Sequence, residues 1–186
     1  MSALDRYIPE RAWFDRQEER AYAGTHGIGH ITRVLVWSEQ IADRVRTPLR
    51  RAELLWAAGL HDIKRHDDGI DPGHGARSAA WVRTQFAHVR PDVAAMLDLD
   101  LVAELCRDHQ RSDRLIEHWT DELRVLKDAD GLERVRIYDL DPRRLRLQSI
   151  SPALEPLAWD LMERSVALGN TAPAVREVAT EMGLWR

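Results

Sequence analysis

Five ionisable residues fall where a helix would turn them inward: His30, the adjacent pair His61-Asp62, His109 and Asp130. Positions three, four and seven apart share one side of a helix. His30 precedes Val34 by four and Trp37 by seven, and His61 follows Ala58 by three and Leu54 by seven. Asp62 follows Ala58 by four and Leu55 by seven. His109 follows Leu105 by four and Val102 by seven, and Asp130 follows Leu126 by four and Leu123 by seven. One histidine on an apolar face is an ordinary hydrogen-bonded core residue. Three histidines and two carboxylates on separate apolar faces are costly to bury unless they pair or hold a cation. Imidazoles and carboxylates together suit manganese, iron, cobalt, nickel or zinc. His61 and Asp62 diverge by about 100° on a helix, so they can approach one ion from neighbouring directions.

Helical spacing dominates the segments that must carry these residues. No alternating strand of convincing length appears, and the pairs Asp68-Gly69 and Asp130-Gly131 are not flanked by β-branched runs. The spacing predicts a first helix over residues 9–22 and a second from Ile28, broken apart by Gly24-Thr25-His26-Gly27. Thr47-Pro48 predicts the start of a third, which packs inward through Leu54, Leu55 and Ala58 and ends near Lys64. Gly59 would let a neighbouring helix approach closely. Residues 66–75, with three glycines, one proline and three aspartates, read as a loop. Further helices are expected over residues 76–88, 91–109 and 120–136, then from Asp141-Pro142 and Ser151-Pro152, and last over 171–182. The expectation is an all-α bundle of eight or nine helices in one domain, residues 1–186, with a C-terminal helical addition over about 143–186.

Composition sets outer bounds. Lys plus Arg number 27 and Asp plus Glu 31, a formal net charge of −4, so nothing in bulk attracts nucleic acid or an anionic membrane. Cys106 is the only cysteine, which excludes an internal disulfide and a cysteine-based zinc cluster and reads as a small buried apolar residue. The seven tryptophans are spread along helices and favour core packing over a nucleic-acid stacking platform. The longest clean apolar run, residues 54–60, has seven residues against about 20 for a membrane span. With a polar, charged start to the chain, this predicts a cytoplasmic protein without an export signal.

The ordered set His30 in Gly-Ile-Gly-His-Ile-Thr-Arg-Val, His61-Asp62 in Gly-Leu-His-Asp-Ile-Lys-Arg, and Asp130 in Lys-Asp-Ala-Asp-Gly-Leu resembles the HD superfamily of metal-dependent phosphohydrolases. The resemblance covers about residues 24–137 and implies the HD-domain helical bundle. It implies that His30, His61, Asp62 and Asp130 hold a divalent metal. His74 in Pro-Gly-His-Gly-Ala and His109 in Cys-Arg-Asp-His-Gln resemble two further family histidines. In members with two ions these bind the second, with Asp62 bridging; in members with one they face the substrate phosphate. Both readings stay open for this chain, as does the identity of the ion among Mn, Fe, Co, Ni, Zn and Mg. Asp130 is preferred to Asp128, which points largely away from the apolar face and is given a supporting or surface role. Gln110 follows His109, and a Gly-Tyr-Pro signature is absent, so the cyclic-dinucleotide branch is disfavoured.

The implied activity is hydrolysis of a phosphate ester or anhydride in a nucleotide or other small phosphorylated metabolite. Asp62 or His74 would accept the attacking water's proton. Arg33, Lys64 and Arg65, the last standing where a lysine often lies in the family, are candidate cations for the phosphoryl oxygens. Di-iron oxygenase chemistry and a non-catalytic nucleotide-binding module are the alternatives. His26 is a candidate supporting residue. His66, in an acidic loop with Asp67, Asp68 and Asp71, reads as solvated, as do His88, His118 and the basic run Arg143-Arg144-Leu145-Arg146.

Overall fold

The computed structural model describes residues 2–14 and 22–185. Among them lie nine α-helices and no strand. These are α1 Ile28–Ala42, α2 Arg51–Leu60, α3 His74–Trp81, α4 Ala87–Val89, α5 Pro91–Ala94, α6 Leu99–Asp108, α7 Asp121–Leu132, α8 Glu155–Ala167 and α9 Ala172–Glu181. A π-helical stretch, Val82–Phe86, joins α3 to α4, and short 3-10 turns fill several of the connections.

Helix α1 is the central element. It packs against α2, α7 and α9, while α2 and α3 both pack against α6. Its sides are buried almost all round, which fits its apolar sequence better than a one-faced stripe would. Trp37 and Trp56 are among the largest fully enclosed side chains. Trp56 meets the edge of Tyr7 at 5.2 Å and of Phe86 at 5.0 Å, so the N-terminal 3-10 turn Ala3–Tyr7 covers α2. Gly59 permits that approach, because a Cβ there would lie 2.1 Å from the Tyr7 carbonyl oxygen.

Several element boundaries differ from expectation. Thr47 does not cap α2; its hydroxyl donates to Asp121, and α2 begins at Arg51. The helix expected over 91–109 is two helices, because the Asp98 carboxylate accepts the Leu101 amide and caps a new start at Leu99. The helix expected over 120–136 starts at its Thr120 cap but tightens into a 3-10 turn, Glu133–Ile137, ended by Tyr138 at φ 55°. Asp141-Pro142 opens only a 3-10 turn, Pro142–Arg144. Of the helix expected over 9–22, Arg11–Trp13 forms a 3-10 turn, and residues 15–21 lie outside the described residues.

Candidate metal centre

The ends of five helices converge. His30 lies in the first turn of α1, His61 and Asp62 directly follow α2, and His74 opens α3. His109 follows α6, and Asp130 sits in the last turn of α7. A Cβ at Gly75 would meet the Cys106 and Arg107 carbonyl oxygens at 2.7 and 3.0 Å. Glycine there lets the start of α3 press on the end of α6, which sets His74 beside His109.

Backbone and carboxylate acceptors fix the four imidazoles. Nδ1 lies 2.8 Å from the Ala58 carbonyl in His61, 2.6 Å from that of Asp71 in His74, and 2.7 Å from that of Cys106 in His109. A carbonyl only accepts, so each Nδ1 carries the proton, and each Nε2 of a neutral ring presents a lone pair. His30 Nδ1 faces Glu133 Oε2 at 3.4 Å, with the same consequence. The Nε2 atoms then face one another and two carboxylates. His30 Nε2 is 3.3 Å from His61 Nε2, 3.4 Å from Asp130 Oδ1 and 3.7 Å from Asp62 Oδ2. His74 Nε2 is 3.0 Å from both His109 Nε2 and Asp62 Oδ1, and His109 Nε2 is 3.5 Å from that oxygen.

Such a cluster of acceptors fits a cation. Ligand atoms bonded to one ion at about 2.1 Å stand roughly 3.0–3.6 Å apart. His30, His61 and Asp130 form one group able to hold an ion, and His61, Asp62 and His109 another. The buried Asp62 Oδ1 has no well-formed hydrogen bond among the described residues. Asp62 turns Oδ2 towards His30 and His61 and Oδ1 towards His74 and His109. His26, His30 and Asp62 make a third group, but His26 Nδ1 already accepts from Arg136 at 2.7 Å.

The electrostatics agree. Burial opposes ionisation of Asp62, but His61, with His109 and His74, holds its carboxyl well below the usual range. Burial likewise opposes ionisation of Asp130, and His30, His61, His109 and Arg136 bring it to about 2. Burial, then Arg136, pushes His30 well below an ordinary imidazole, and burial lowers His61. Burial also lowers His74, but the Asp62 carboxylate 3.0 Å from its Nε2 prevails and raises it. A proton on His74 Nε2 and a metal ion therefore compete for one position.

A cleft of about 930 Å³ opens over this cluster, lined by His26, Asp62, His74, His109 and Asp130. Arg65 and Arg136 also line it, one beside His74 at 3.1 Å and the other against His26. Arg33 and Lys64 do not, contrary to expectation. Arg33 is 1% exposed and donates to Glu133 at 2.8 Å, Ser165 at 3.1 Å and Asn170 at 2.7 Å. Lys64 is buried, with Nζ donating to the Trp13 carbonyl and standing over the Trp81 ring.

Asp128 is neither a surface residue nor a contact of the cluster. It is wholly buried and accepts from the Arg146 and Leu147 amides and the Ser151 hydroxyl. Glu133 and Arg136 escaped the sequence reading. Glu133 also accepts from Trp37 Nε1, and so ties His30 to Arg33 and the C-terminal helices. Its only signal was a carboxylate one turn beyond Asp130 on an apolar face. Arg144, exposed as expected, and the part-buried Arg146 line the cleft. His66, His88 and His118 are exposed, and Cys106 is buried, with its thiol pushed up by burial.

Residues 27–135, more than half of the chain, match the family model described as the HD domain. The chain belongs to the HD-domain family. That superfamily is one of metal-dependent phosphohydrolases, and its members bind divalent metals. No curated protein and no solved structure matches the chain. Among the described residues, no helix of this HD-domain protein is long and apolar enough to cross a membrane.

Proposed function

We propose that this HD-domain protein is a metal-dependent phosphohydrolase acting on a small, nucleotide-like phosphate ester or anhydride in the cytoplasm. The observation that carries this reading is the convergence of four imidazole lone pairs and two carboxylates beneath a cleft lined by arginines. His30, His61, Asp62 and Asp130 would hold one divalent ion. His74 and His109, sharing Asp62, would hold a second. A bound ion of this kind supplies a hydroxide near neutral pH and polarises the phosphoryl group.

The protein's own groups do the rest. Arg65, beside His74, and Arg136, beside His26, line the cleft, where they would bind the phosphoryl oxygens and stabilise charge in the transition state. Arg136 is suited to this because its buried Nε has no hydrogen-bond partner among the described residues. Asp62 or His74 would take the proton from the attacking water. Glu133 keeps His30 in the tautomer that turns Nε2 inward. The helices after residue 143 belong to the same unit in this reading, since Ser165 and Asn170 hold Arg33 against Glu133.

The test is metal content by elemental analysis of untagged protein, followed by a phosphate-ester panel with the manganese-loaded form. One or two equivalents per chain, lost in His61→Ala, and phosphate release from at least one ester are expected. No bound metal after incubation with manganese, iron, cobalt or nickel would overturn the reading. Dioxygen-dependent turnover without phosphate release would replace it with di-iron oxygenase chemistry.

A further inference from the structure

The cleft's charge exceeds what one phosphate group requires. Eight arginines and lysines line it against three aspartates, and of the eight Arg111 and Arg134 pair with Asp108 and Asp139 outside the lining. Two of the three lining aspartates, Asp62 and Asp130, belong to the metal cluster. The third, Asp113, is divided between Arg146, at 2.9 Å, and Lys127, at 3.2 Å. Arg65 stands beside His74 and Arg136 beside His26, while Arg146 and Lys127 share Asp113, and Arg114 and Arg144 line the same cleft.

The last two lack a close carboxylate. Arg114 has none among the described residues, and Arg144 lies 3.6 Å from Asp141, which Arg143 already engages at 2.9 Å. Arg146 is held in place. Asp128 anchors the backbone of Arg146 and Leu147, and the Arg146 guanidinium donates twice to Asp113. Guanidinium ions without a close carboxylate, beside one that is held in place, can engage a phosphate bidentately. Half-exposed Ile137 on the cleft wall offers an apolar contact for an organic body. Arg144 and Arg146 lie beyond the matched residues 27–135, whereas Arg114 and Lys127 lie within them.

We infer that Arg114, Arg144 and Arg146 form a subsite for a second phosphate group, and that the substrate is a small molecule carrying two phosphates. The inference rests on the phosphohydrolase reading and names its substrate class.

The experiment is calorimetric titration of manganese-loaded protein with two ligand pairs, each differing by one phosphate. These are adenosine 5′-monophosphate against adenosine 3′,5′-bisphosphate, and fructose 6-phosphate against fructose 1,6-bisphosphate. The bisphosphate of at least one pair should bind about tenfold tighter than its partner, and Arg114→Ala with Arg144→Ala should bring the ratio close to one. Equal binding within both pairs, or a preference that survives the double variant, overturns the subsite. Monophosphate binding that chelation abolishes, without a bisphosphate preference, leaves the parent reading standing while the subsite falls. No binding of any of the four ligands counts against both.

Discussion

Asp128 and Asp130 lie two residues apart on α7 and meet opposite surroundings. Asp128 accepts two backbone amides and a hydroxyl, each within 2.8 Å, and its charge is fully used in joining α7 to residues 146–151. Asp130 sits at the cleft edge, one-third exposed, and faces His30 Nε2 with no comparable set of donors. Buried carboxylates surrounded by donors hold a fold together. Carboxylates that face other acceptors await a cation. The same contrast separates Glu133, which accepts from Arg33 and Trp37, from Asp62, whose Oδ1 has no well-formed bond.

The largest test of the contrast is at Asp62. Asp62→Ala should abolish metal binding and reduce turnover to background while leaving the circular dichroism spectrum unchanged. A variant that keeps its metal and turns over would remove Asp62 from the centre. Asp128→Ala should do the reverse. Three donors lose their acceptor, so stability should fall by about 3 kcal/mol, or roughly 6–12 °C in Tm, while the folded fraction retains its metal. Metal loss without thermal destabilisation would contradict the assignment of Asp128 to the scaffold.

Glu133→Gln tests the residue that spans both regions. Gln can still accept from His30 but cannot balance Arg33, so metal affinity should drop roughly 10–100-fold by competition with a chelator. An unchanged affinity would show that Glu133 serves the scaffold alone. The smallest effect concerns pH. Folded His30, His61 and His26 stay neutral, His26 down to about 4, whereas the unfolded chain takes up protons below 6.5. The unfolded state binds more protons in that window, so stability rises with pH there. His74 opposes this: its raised folded pKa contributes stability below 6.5 that is lost as pH rises through it. With three groups against one, Tm of the chelated protein should fall between about pH 7 and pH 5. A flat or rising Tm would mean that the cluster binds protons as readily as the unfolded chain.

The helical class and the burial of His30, His61, Asp62 and His109 were legible because each residue shares a face with Leu, Val or Ala at helical spacing. The face of α7 was legible only in part. Helical phase set Asp130 apart from Asp128 but turned Asp128 outward, where the C-terminal segment in fact covers it. Arg33 misled for the same reason, since one turn past His30 suggests a neighbour of the site. Its direction was decided by Glu133, Ser165 and Asn170, which lie 100 or more residues away.

By itself, the sequence determined that the protein is helical, that ionisable side chains on apolar faces must meet inside it, and that their order is that of an HD domain. Local periodicity carries this information, because a helix phases its residues without reference to distant neighbours. Only the tertiary structure decided which nitrogen of each histidine turns inward, that Asp62 divides its two oxygens between two sets of imidazoles, and that Arg136 rather than Arg33 stands over the cleft. Those outcomes depend on carbonyls, carboxylates and guanidinium groups brought together from remote segments, and hydrogen-bond direction is set by the partner that arrives.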